Sequence, residues 1–279
     1  MSEYLSIEHC IETSPRPLDF VIPGLVSATV GSIVAPGATG KSWFALQIAA
    51  AVAGADTLDI RPATGRVLYI ASEDPVDVLR ARIYTLGRRL SEIQRDALIE
   101  RLHIWPTLGK SGDLLDDGRT ASDIARRGEG CRLIVIDTLS RWHTGDENAR
   151  ADAARVLRRL EQIAATTEAA VLFLHHASKS AVLDGNGSTQ QAARGSSVWV
   201  DESRFCLTMA RCSESEARDY GIDESFRDFF VKLTLAKANY IAPQPARWLR
   251  RREGGLFEPV EMFKVQRRGG AKRGDDDDF

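Results

Sequence analysis

Short apolar runs alternate with amphipathic stretches along most of the chain. The apolar runs predict strands over residues 29–34, 66–71, 103–106, 132–137, 169–175, 204–210, 229–236 and 246–251. Helical spacing predicts helices over residues 41–54, 76–89, 91–101, 120–127, 150–166, 189–200 and 213–220. Several strands are apolar without a break, as expected of strands that are covered on both faces. The alternation therefore predicts an α/β domain with a mostly parallel central sheet flanked by helices.

Three segments depart from this pattern. Residues 1–28 are rich in turn-forming residues, and residues 177–191 form a long polar loop with several Gly and Ser residues. Loops of that length in a compact domain are usually functional or disordered. The sequence RRGGAKRGDDDDF at the C-terminal end is typical of a disordered, acidic-ended tail. We expect an N-terminal arm over residues 1–28, one large domain over 29–258 and a tail over 259–279.

Composition narrows the class of protein. Apolar residues are 43% of 279, which is enough for one large core, and the net charge is −2. A chain with this charge has no overall attraction for nucleic acid, so DNA contacts have to come from local loops. No apolar run reaches the roughly 20 residues that span a bilayer, and the acidic N-terminal stretch does not suit a signal peptide. The four cysteines form no CxxC pair, as in reduced proteins of the cytoplasm, where we expect this chain.

The first predicted strand leads into a glycine-containing loop and then an apolar helix. A phosphate-binding (Walker A) loop requires this strand–loop–helix context, because the backbone N–H groups of the loop and the start of the helix attract anions. Lys41 is predicted to reach the β- and γ-phosphates of ATP, and Ser42 to bind Mg²⁺. The departure from the strict pattern is Ala35 in place of Gly. The predicted loop is Ala35, Pro36, Gly37, Ala38, Thr39, Gly40, Lys41 and Ser42.

Two acidic positions follow apolar strands. Asp137 ends the run RLIVID and is predicted to hold Mg²⁺ as the Walker B carboxylate. The residue after it is Thr138, so the general base has to come from elsewhere. Glu73 ends the strand that follows the phosphate-loop helix and is predicted to polarise the attacking water. Asp74 is expected to cap the next helix.

Adjacent histidines end the run AVLFL. A zinc site is a poor interpretation of His175 and His176, because neighbouring strand residues point to opposite faces. A better hypothesis is that one of them senses the γ-phosphate, and the sequence leaves the choice open. The loop after them carries Lys179 and Arg194, and the loop after Asp137 carries Arg141 and Trp142. We expect Arg141, Lys179 and Arg194 to bind single-stranded DNA phosphates, with Trp142 as a candidate for stacking on a base.

Together these segments resemble a known family. GATGKS, ASEDP, LIVIDTLSR, FLHHASK, ARGSSVWVD and AKANY are similar to the RecA-like hexameric replicative DNA helicases, and most similar to the RepA type of broad-host-range IncQ plasmids. The resemblance extends from about residue 18 to about residue 251. It implies a RecA-like P-loop NTPase core with antiparallel C-terminal strands. It also implies a homohexameric 5′→3′ motor on single-stranded DNA, with ATP sites between subunits and a replication initiator or primase as further partners.

The resemblance also implies a cation supplied by the neighbouring subunit. DnaB-type helicases take Lys and Arg from a K-x-R segment in a late strand, and here that segment reads Lys237-Ala238-Asn239. Lys237 matches, whereas Asn239 replaces the arginine. Arg204, at the start of RFCLTMA, stands where RepA-type helicases carry this catalytic arginine, which is called the arginine finger. Arg82 is a further candidate to face the phosphates.

Other classes of function stay open from sequence alone. A RecA-like ATPase can act as a regulatory or recombination scaffold that does not unwind DNA. A small-molecule kinase fits less well, because the chain shows no obvious acceptor site or lid. The arm over residues 1–28 is expected to pack on a neighbouring subunit. The DDDDF end, if it is more than a solubilising tail, would compete with DNA for basic loops or recruit partners.

Overall fold

The computed structural model describes residues 4–110, 112–145, 149–176, 199 and 203–265. All eight predicted strands are present, with ends within two residues of those predicted, and so are six of the predicted helices. The predicted helix over 189–200 lies outside the described residues, apart from Trp199. The described strands are β1 (Phe20–Ile22), β2 (Leu25–Val26), β3 (Val30–Ala35), β4 (Arg66–Ala71), β5 (Leu102–Pro106), β6 (Cys131–Asp137), β7 (Ala170–His176), β8 (Phe205–Arg211), β9 (Phe230–Ala238), β10 (Arg247–Arg251) and β11 (Phe257–Val260).

The helices cover the two faces of the sheet or connect its strands. Among the described residues, no helix is both long enough and apolar enough to cross a membrane. The described α-helices are α1 (Ile7–Glu12), α2 (Lys41–Ala53), α3 (Val76–Gly87), α4 (Glu92–Arg101), α5 (Arg119–Arg127), α6 (Arg150–Thr167) and α7 (Glu214–Tyr220).

One large sheet organises the described part of the chain. Nine strands lie in the order β11-β10-β9-β8-β3-β7-β6-β4-β5. Six neighbouring strands run parallel, namely β8, β3, β7, β6, β4 and β5. The pairs β8–β9, β9–β10 and β10–β11 are antiparallel. The α/β prediction with antiparallel C-terminal strands is therefore confirmed.

Side chains of the central strands alternate between two apolar layers. In β6, Leu133 and Val135 join the cluster that contains α2 and α4, while Ile134 and Ile136 join the cluster that contains α5 and α6. Successive strand residues point to opposite faces, so burial on both sides requires an unbroken apolar run. This is why β6 and β7 were recognisable in the sequence.

The parallel strands bring four chain positions to one edge of the sheet. Ala35 of β3 is level with His176 of β7, and Ala71 of β4 is level with Asp137 of β6. The loops that follow these strands therefore open on the same side. Open α/β sheets bind their ligands at this carboxyl edge.

The limits of the large domain differ from those predicted. Val21 and Leu25, in the β1–β2 hairpin, have no exposed surface and belong to the main apolar cluster. The segment outside the core is therefore shorter than the predicted arm and covers residues 4–19, which are all exposed. At the other end, the predicted boundary at residue 259 falls inside β11, whose Phe257 is fully buried.

Candidate functional site

The loop between β3 and α2 has the shape of a phosphate cradle. Ala38 and Gly40 adopt positive φ angles of 59° and 98°. A Cβ at Gly40 would lie 2.7 Å from the Phe257 ring, so only glycine fits there. Gly40 caps α2 without a side-chain hydrogen bond, which leaves the first N–H groups of the helix for another acceptor. A Cβ at Gly37 would meet no atom within 4 Å, so the space beside the loop is open to a phosphate.

Lys41, at the start of α2, closes back over this loop. Its Nζ donates to the carbonyl oxygens of Ala35, at 2.9 Å, and Pro36, at 3.2 Å. Burial lowers the pKa of the Lys41 ammonium to about 8, against the opposing effect of the Asp137 and Glu73 charges. The Lys41 side chain is therefore held where a phosphate would compensate its desolvation.

Ser42 and Asp137 lie together beneath the loop. Ser42 Oγ donates to Asp137 Oδ1 at 3.0 Å, and Asp137 is only 4% exposed. Burial raises the pKa of the Asp137 carboxyl to about 6, although hydrogen bonds from Tyr69 and Ser42 act in the opposite direction. A hydroxyl and a carboxylate are the hard oxygen donors that suit Mg²⁺. These two residues therefore fit the predicted metal site.

Glu73 lies two residues beyond the end of β4, at the mouth of the loop. Its carboxylate oxygens lie 3.9 Å from His176 Nε2 and 3.5 Å from Arg141 Nε. The neighbouring Ser72 is tightly held, because its N–H donates to the Asp137 carbonyl at 2.7 Å and its hydroxyl accepts from Trp142 Nε1 at 2.7 Å. The position of Glu73 is thus set by a buried polar network next to it.

The structure separates the two histidines. His176 faces the site, where its Nδ1 lies 3.0 Å from Lys41 Nζ. His175 points the other way and is 5% exposed, with its ring 5.3 Å from that of Trp199. Burial lowers the pKa of His175 to about 4, so it is neutral at physiological pH. The opposite orientations agree with the argument against a shared zinc ion.

The loop after Asp137 holds Trp142 in a different environment from the one predicted. Trp142 is buried, 6% exposed, and packs on Trp105 with 5.7 Å between ring centroids. The hypothesis that Trp142 stacks on a base is therefore wrong, because its ring is part of the core and its indole N–H is used by Ser72. Arg141, predicted to bind DNA, forms an exposed ion pair with Glu73.

The acidic residue next to Glu73 also has another role than predicted. Asp74 accepts from Arg82 Nη1 at 2.5 Å, and Pro75 rather than Asp74 occupies the N-cap position of α3, without a side-chain hydrogen bond. The Asp74 capping prediction is wrong. Arg82 also lies over the Trp43 ring, 5.8 Å from its centroid. Its guanidinium is thus fixed by an acid and an aromatic ring beside the site.

The predicted finger residues lie away from the phosphate loop. Arg204 precedes β8, and its N–H donates to the Val30 carbonyl, at the start of β3. Lys237 of β9 is level with Cys206 of β8, next to Arg204. The phosphate loop follows the far end of β3, which is about 20 Å from Arg204 and, because Cys206 is level with Ser32, about 10 Å from Lys237. The predicted DNA-binding residues Lys179 and Arg194 lie outside the described residues.

Three residues at the site were missed from the sequence. Tyr69 OH donates to Asp137 Oδ2 at 2.6 Å. Arg251 Nη2 donates to the Thr39 carbonyl at 2.5 Å, and Arg211 Nη2 to the Ala38 carbonyl at 3.0 Å. Tyr69 had a detectable signal, a single hydroxyl inside an otherwise apolar strand, which must find a partner when buried. The two arginines had none, since they reach the loop from strands distant in sequence.

Comparison with known proteins decides the family. Residues 2–182 match the AAA_25 family, described as an AAA domain. The chain belongs to this family. The matched part of this AAA-domain protein includes the phosphate loop, Glu73, Asp137 and both histidines.

Solved structures share the fold of the AAA-domain protein. The ATPase domain of G40P superposes with a TM-score of 0.60 at 18% identity, over 91% of this chain and 96% of that one. The RadB recombinase superposes with a TM-score of 0.53 at 16% identity, over 85% of this chain and 93% of that one. A DnaB-like replicative helicase, solved in a study of its interactions with primase, gives 0.59 at 16% identity, over 84% of this chain and 58% of that one. The fold is therefore RecA-like, as predicted.

Proposed function

We propose that this AAA-domain protein is an ATP-dependent DNA helicase of the RepA type. In this proposal it assembles as a homohexameric ring in the cytoplasm and moves 5′→3′ along single-stranded DNA in plasmid-type replication. The observation that carries the proposal is the convergence of Lys41, His176 and Glu73 at the mouth of the phosphate loop. The similarity to helicase ATPase domains supports it.

The chemistry follows from the positions of the side chains. Lys41 neutralises charge on the β- and γ-phosphates, and Glu73 accepts a proton from water as the water oxygen bonds to the γ-phosphorus. The bond from that phosphorus to the bridging oxygen breaks, which gives ADP and inorganic phosphate. Ser42 and Asp137 would hold Mg²⁺, which shields the phosphate oxygens when it is bound. His176, between Lys41 and Glu73, is the better candidate for the γ-phosphate sensor.

The finger residues support a site that is shared between subunits. Arg204 lies about 20 Å from the phosphate loop of its own chain, so it serves a neighbouring chain better than its own. Lys237 is level with Ser32 through Cys206, about 10 Å before the loop. A trans-acting arginine is worth about 10³–10⁵ in the rate of phosphoryl transfer. We therefore propose that Arg204 and Lys237 complete the ATP site of the adjacent subunit in the ring.

The arm offers a second contact between subunits. In α1, Ile7 and Ile11 lie on one face of the helix with 67% and 80% of their surface exposed. A groove of about 390 Å³ between α3 and β5 is lined mainly by apolar residues, namely Val76, Leu79, Arg80, Ile83, Tyr84, Ile104 and Pro106. We propose that α1 of one subunit packs in this groove of the next, since each surface would lose apolar exposure to water.

Arg141 provides a route from DNA binding to hydrolysis. Its guanidinium lies 3.5 Å from the Glu73 carboxylate and is 61% exposed. An exposed ion pair is weak, worth about 0–1 kcal/mol, so a DNA phosphate can compete for the arginine. Such competition would free Glu73 to act as a base. Lys179 and Arg194 are proposed to hold the strand nearby, and a replication initiator or primase is proposed to recruit the ring.

The decisive experiment measures ATP hydrolysis with and without single-stranded DNA, together with displacement of strands that carry 5′ or 3′ tails. We expect DNA to stimulate hydrolysis, and only the substrate with a 5′ tail to be unwound. Arg141→Ala is expected to hydrolyse faster than the wild type without DNA and to gain less from DNA. Glu73→Gln, which binds ATP but has lost the base, is the control for contaminating ATPases.

The same assay tests the alternative function. The RadB recombinase has this fold as well, so the fold agrees equally with a recombination or regulatory scaffold. Hydrolysis that is indifferent to DNA, with no displacement of either strand, would overturn the helicase and favour the scaffold. Transfer of phosphate to a metabolite in place of water would favour a kinase.

A further inference from the structure

The Asp137 carboxylate receives hydrogen bonds from two separate elements. Ser42, in the first turn of α2, donates to Oδ1 at 3.0 Å. Tyr69, in β4, donates to Oδ2 at 2.6 Å. The acid is 4% exposed and the tyrosine 1% exposed, so water is excluded from these contacts. The carboxylate thus has one donor on each oxygen, and rotation about its last bond would break both contacts.

The phenol of Tyr69 also touches the other half of the metal site. Its oxygen lies 3.2 Å from the Ser42 carbonyl oxygen. A phenol has a single proton, and the shorter contact assigns that proton to the Asp137 carboxylate. Tyr69 therefore lies against both the helix that carries Ser42 and the strand that carries Asp137.

Position in the sheet explains how Tyr69 reaches this point. It is level with Val135 in the adjacent strand β6, two residues before Asp137, and its ring belongs to the apolar layer under α2. The ring packs in the core while only the hydroxyl extends to the carboxylate. Packing and hydrogen bonding are thus separable, because Phe in its place would keep the ring and remove the donor.

We propose that Tyr69 is a positioning residue for the metal site, which fixes Asp137 Oδ2 so that Oδ1 is presented to Ser42 and to Mg²⁺. The inference rests on the proposed function, in that it takes Ser42 and Asp137 as the residues that hold Mg²⁺ with ATP. The phenol makes no contact with the metal or the nucleotide in this proposal. Groups that orient metal-binding carboxylates are typically worth about 10- to 100-fold in metal affinity or activity.

The test compares Tyr69→Phe with the wild type in two binding measurements. Metal-free ATP is titrated by calorimetry, and Mn²⁺ is titrated into the ATP-bound protein and followed by electron paramagnetic resonance. We expect unchanged affinity for metal-free ATP and a loss of about 10- to 100-fold in Mn²⁺ affinity. Raising the metal concentration should restore hydrolysis. Tyr220→Phe is the matched control, because Tyr220 packs against Trp248, outside the site.

A double-mutant cycle with Asp137→Asn adds a second criterion. If Tyr69 acts through the carboxylate, then Tyr69→Phe has little further effect on Mn²⁺ affinity once the carboxylate is replaced. Equal metal affinity of Tyr69→Phe and the wild type would overturn the inference. Equal losses of metal-free ATP and Mn²⁺ affinity would also overturn it, since they indicate a merely structural role.

Two outcomes separate this inference from the proposed function. A wild-type chain that binds neither ATP nor Mn²⁺ with ATP contradicts the function itself. Normal wild-type binding with no change in the variant contradicts only the role of Tyr69.

If Tyr69→Phe does not fold, the wild type labelled with 3-fluorotyrosine gives the answer by fluorine resonance. Metal addition to the ATP complex must then shift a buried tyrosine signal, and the inference fails if no such signal moves.

Discussion

Burial moves the pKa values of Lys41 and Asp137 toward each other. It lowers that of the Lys41 ammonium to about 8 and raises that of the Asp137 carboxyl to about 6. Each charged form is therefore less favourable without ligands than it would be in water. Phosphates would stabilise the cation and a metal ion would stabilise the anion. The site is thus poised for a ligand that brings both charges, as a nucleotide with Mg²⁺ does.

A pH dependence of ATP binding follows from Lys41. Between pH 8 and the higher pKa expected in the complex, the free protein has lost a proton that the complex retains. Binding must therefore take up a proton, and affinity should fall about tenfold per pH unit above pH 8. Calorimetry in buffers of different ionisation enthalpy, at pH 7 and pH 9, measures both the proton uptake and the affinity for ATP.

Two Lys41 variants sharpen this prediction. Lys41→Arg should show no such pH slope, because a guanidinium keeps its proton throughout this range. Lys41→Ala should lose ATP turnover while its circular dichroism spectrum stays that of the wild type. An affinity that is flat from pH 7 to pH 9.5 in the wild type would show that Lys41 does not contact the phosphates.

The chemical residues of the site could largely be predicted, but their directions could not. Lys41, Ser42, Asp137 and Glu73 stand at strand ends or in a recognisable loop, and the structure brings them together. Whether His175 or His176 faces the site could not be predicted, because β7 is apolar on both faces and its sequence carries no alternation to set the phase. The burial of Trp142 could not be predicted either, because the acceptor of its indole N–H, Ser72, lies 70 residues away in the sequence.

At the scale of the element, strands covered on both faces were easy to recognise, whereas the short hairpin and the last strand were not. The β1–β2 hairpin was missed because its strands are three and two residues long. Strand β11 was missed because it contains Pro259, which disfavours a central strand and is tolerated at an edge. It is in fact one of the two edge strands of the sheet, paired with β10.

These late antiparallel strands brace the phosphate loop. Arg251 of β10 donates to the Thr39 and Ala38 carbonyls, at 2.5 and 3.3 Å, and is partly buried. Arg251→Ala should release the loop from its left-handed turn and weaken ATP binding about tenfold, or about 1.4 kcal/mol, the size of one hydrogen bond. The rate at saturating ATP should be nearly unchanged, since the chemical groups remain.

A neighbouring arginine provides the control for this brace. Arg252 pairs with Glu258 and does not reach the loop by any contact within the described residues. Arg252→Ala should therefore bind ATP as the wild type does. Measurement of KM and kcat for both variants checks the prediction, which fails if Arg251→Ala keeps the wild-type KM or loses mainly kcat.

At the scale of the whole molecule, the two parts of the proposed shared site lie in different places on the sheet. The phosphate loop lies at the carboxyl end of β3, whereas the finger candidate Arg204 lies at the start of that strand and Lys237 is level with Ser32. In the proposed function both parts are used when copies associate head to tail, and a head-to-tail contact that closes gives a ring. The exposed α1 face and the α3–β5 groove are likewise two different surfaces, as this kind of contact requires.

The arm contact predicts an outcome that distinguishes head-to-tail assembly from other modes. Ile11→Asp places a charge on the apolar face of α1, and Tyr84→Asp places one in the groove that would receive that face. If this contact is needed for assembly, each variant alone should stay monomeric with ATP, because a buried charge opposes packing in an apolar groove. Glu8→Ser, also on α1, is the control and should form rings as the wild type does.

Mixing the two variants then gives the decisive result. The intact arm of Tyr84→Asp can enter the intact groove of Ile11→Asp, but no further subunit can be added at either end of that pair. Mass measurement with ATP should therefore find heterodimers and no rings, while thermal unfolding of each variant stays within a few degrees of the wild type. Rings formed by either variant alone would show that the arm does not hold the subunits together. Homodimers would instead indicate a two-fold contact, which cannot present the finger of each subunit to the next around a ring.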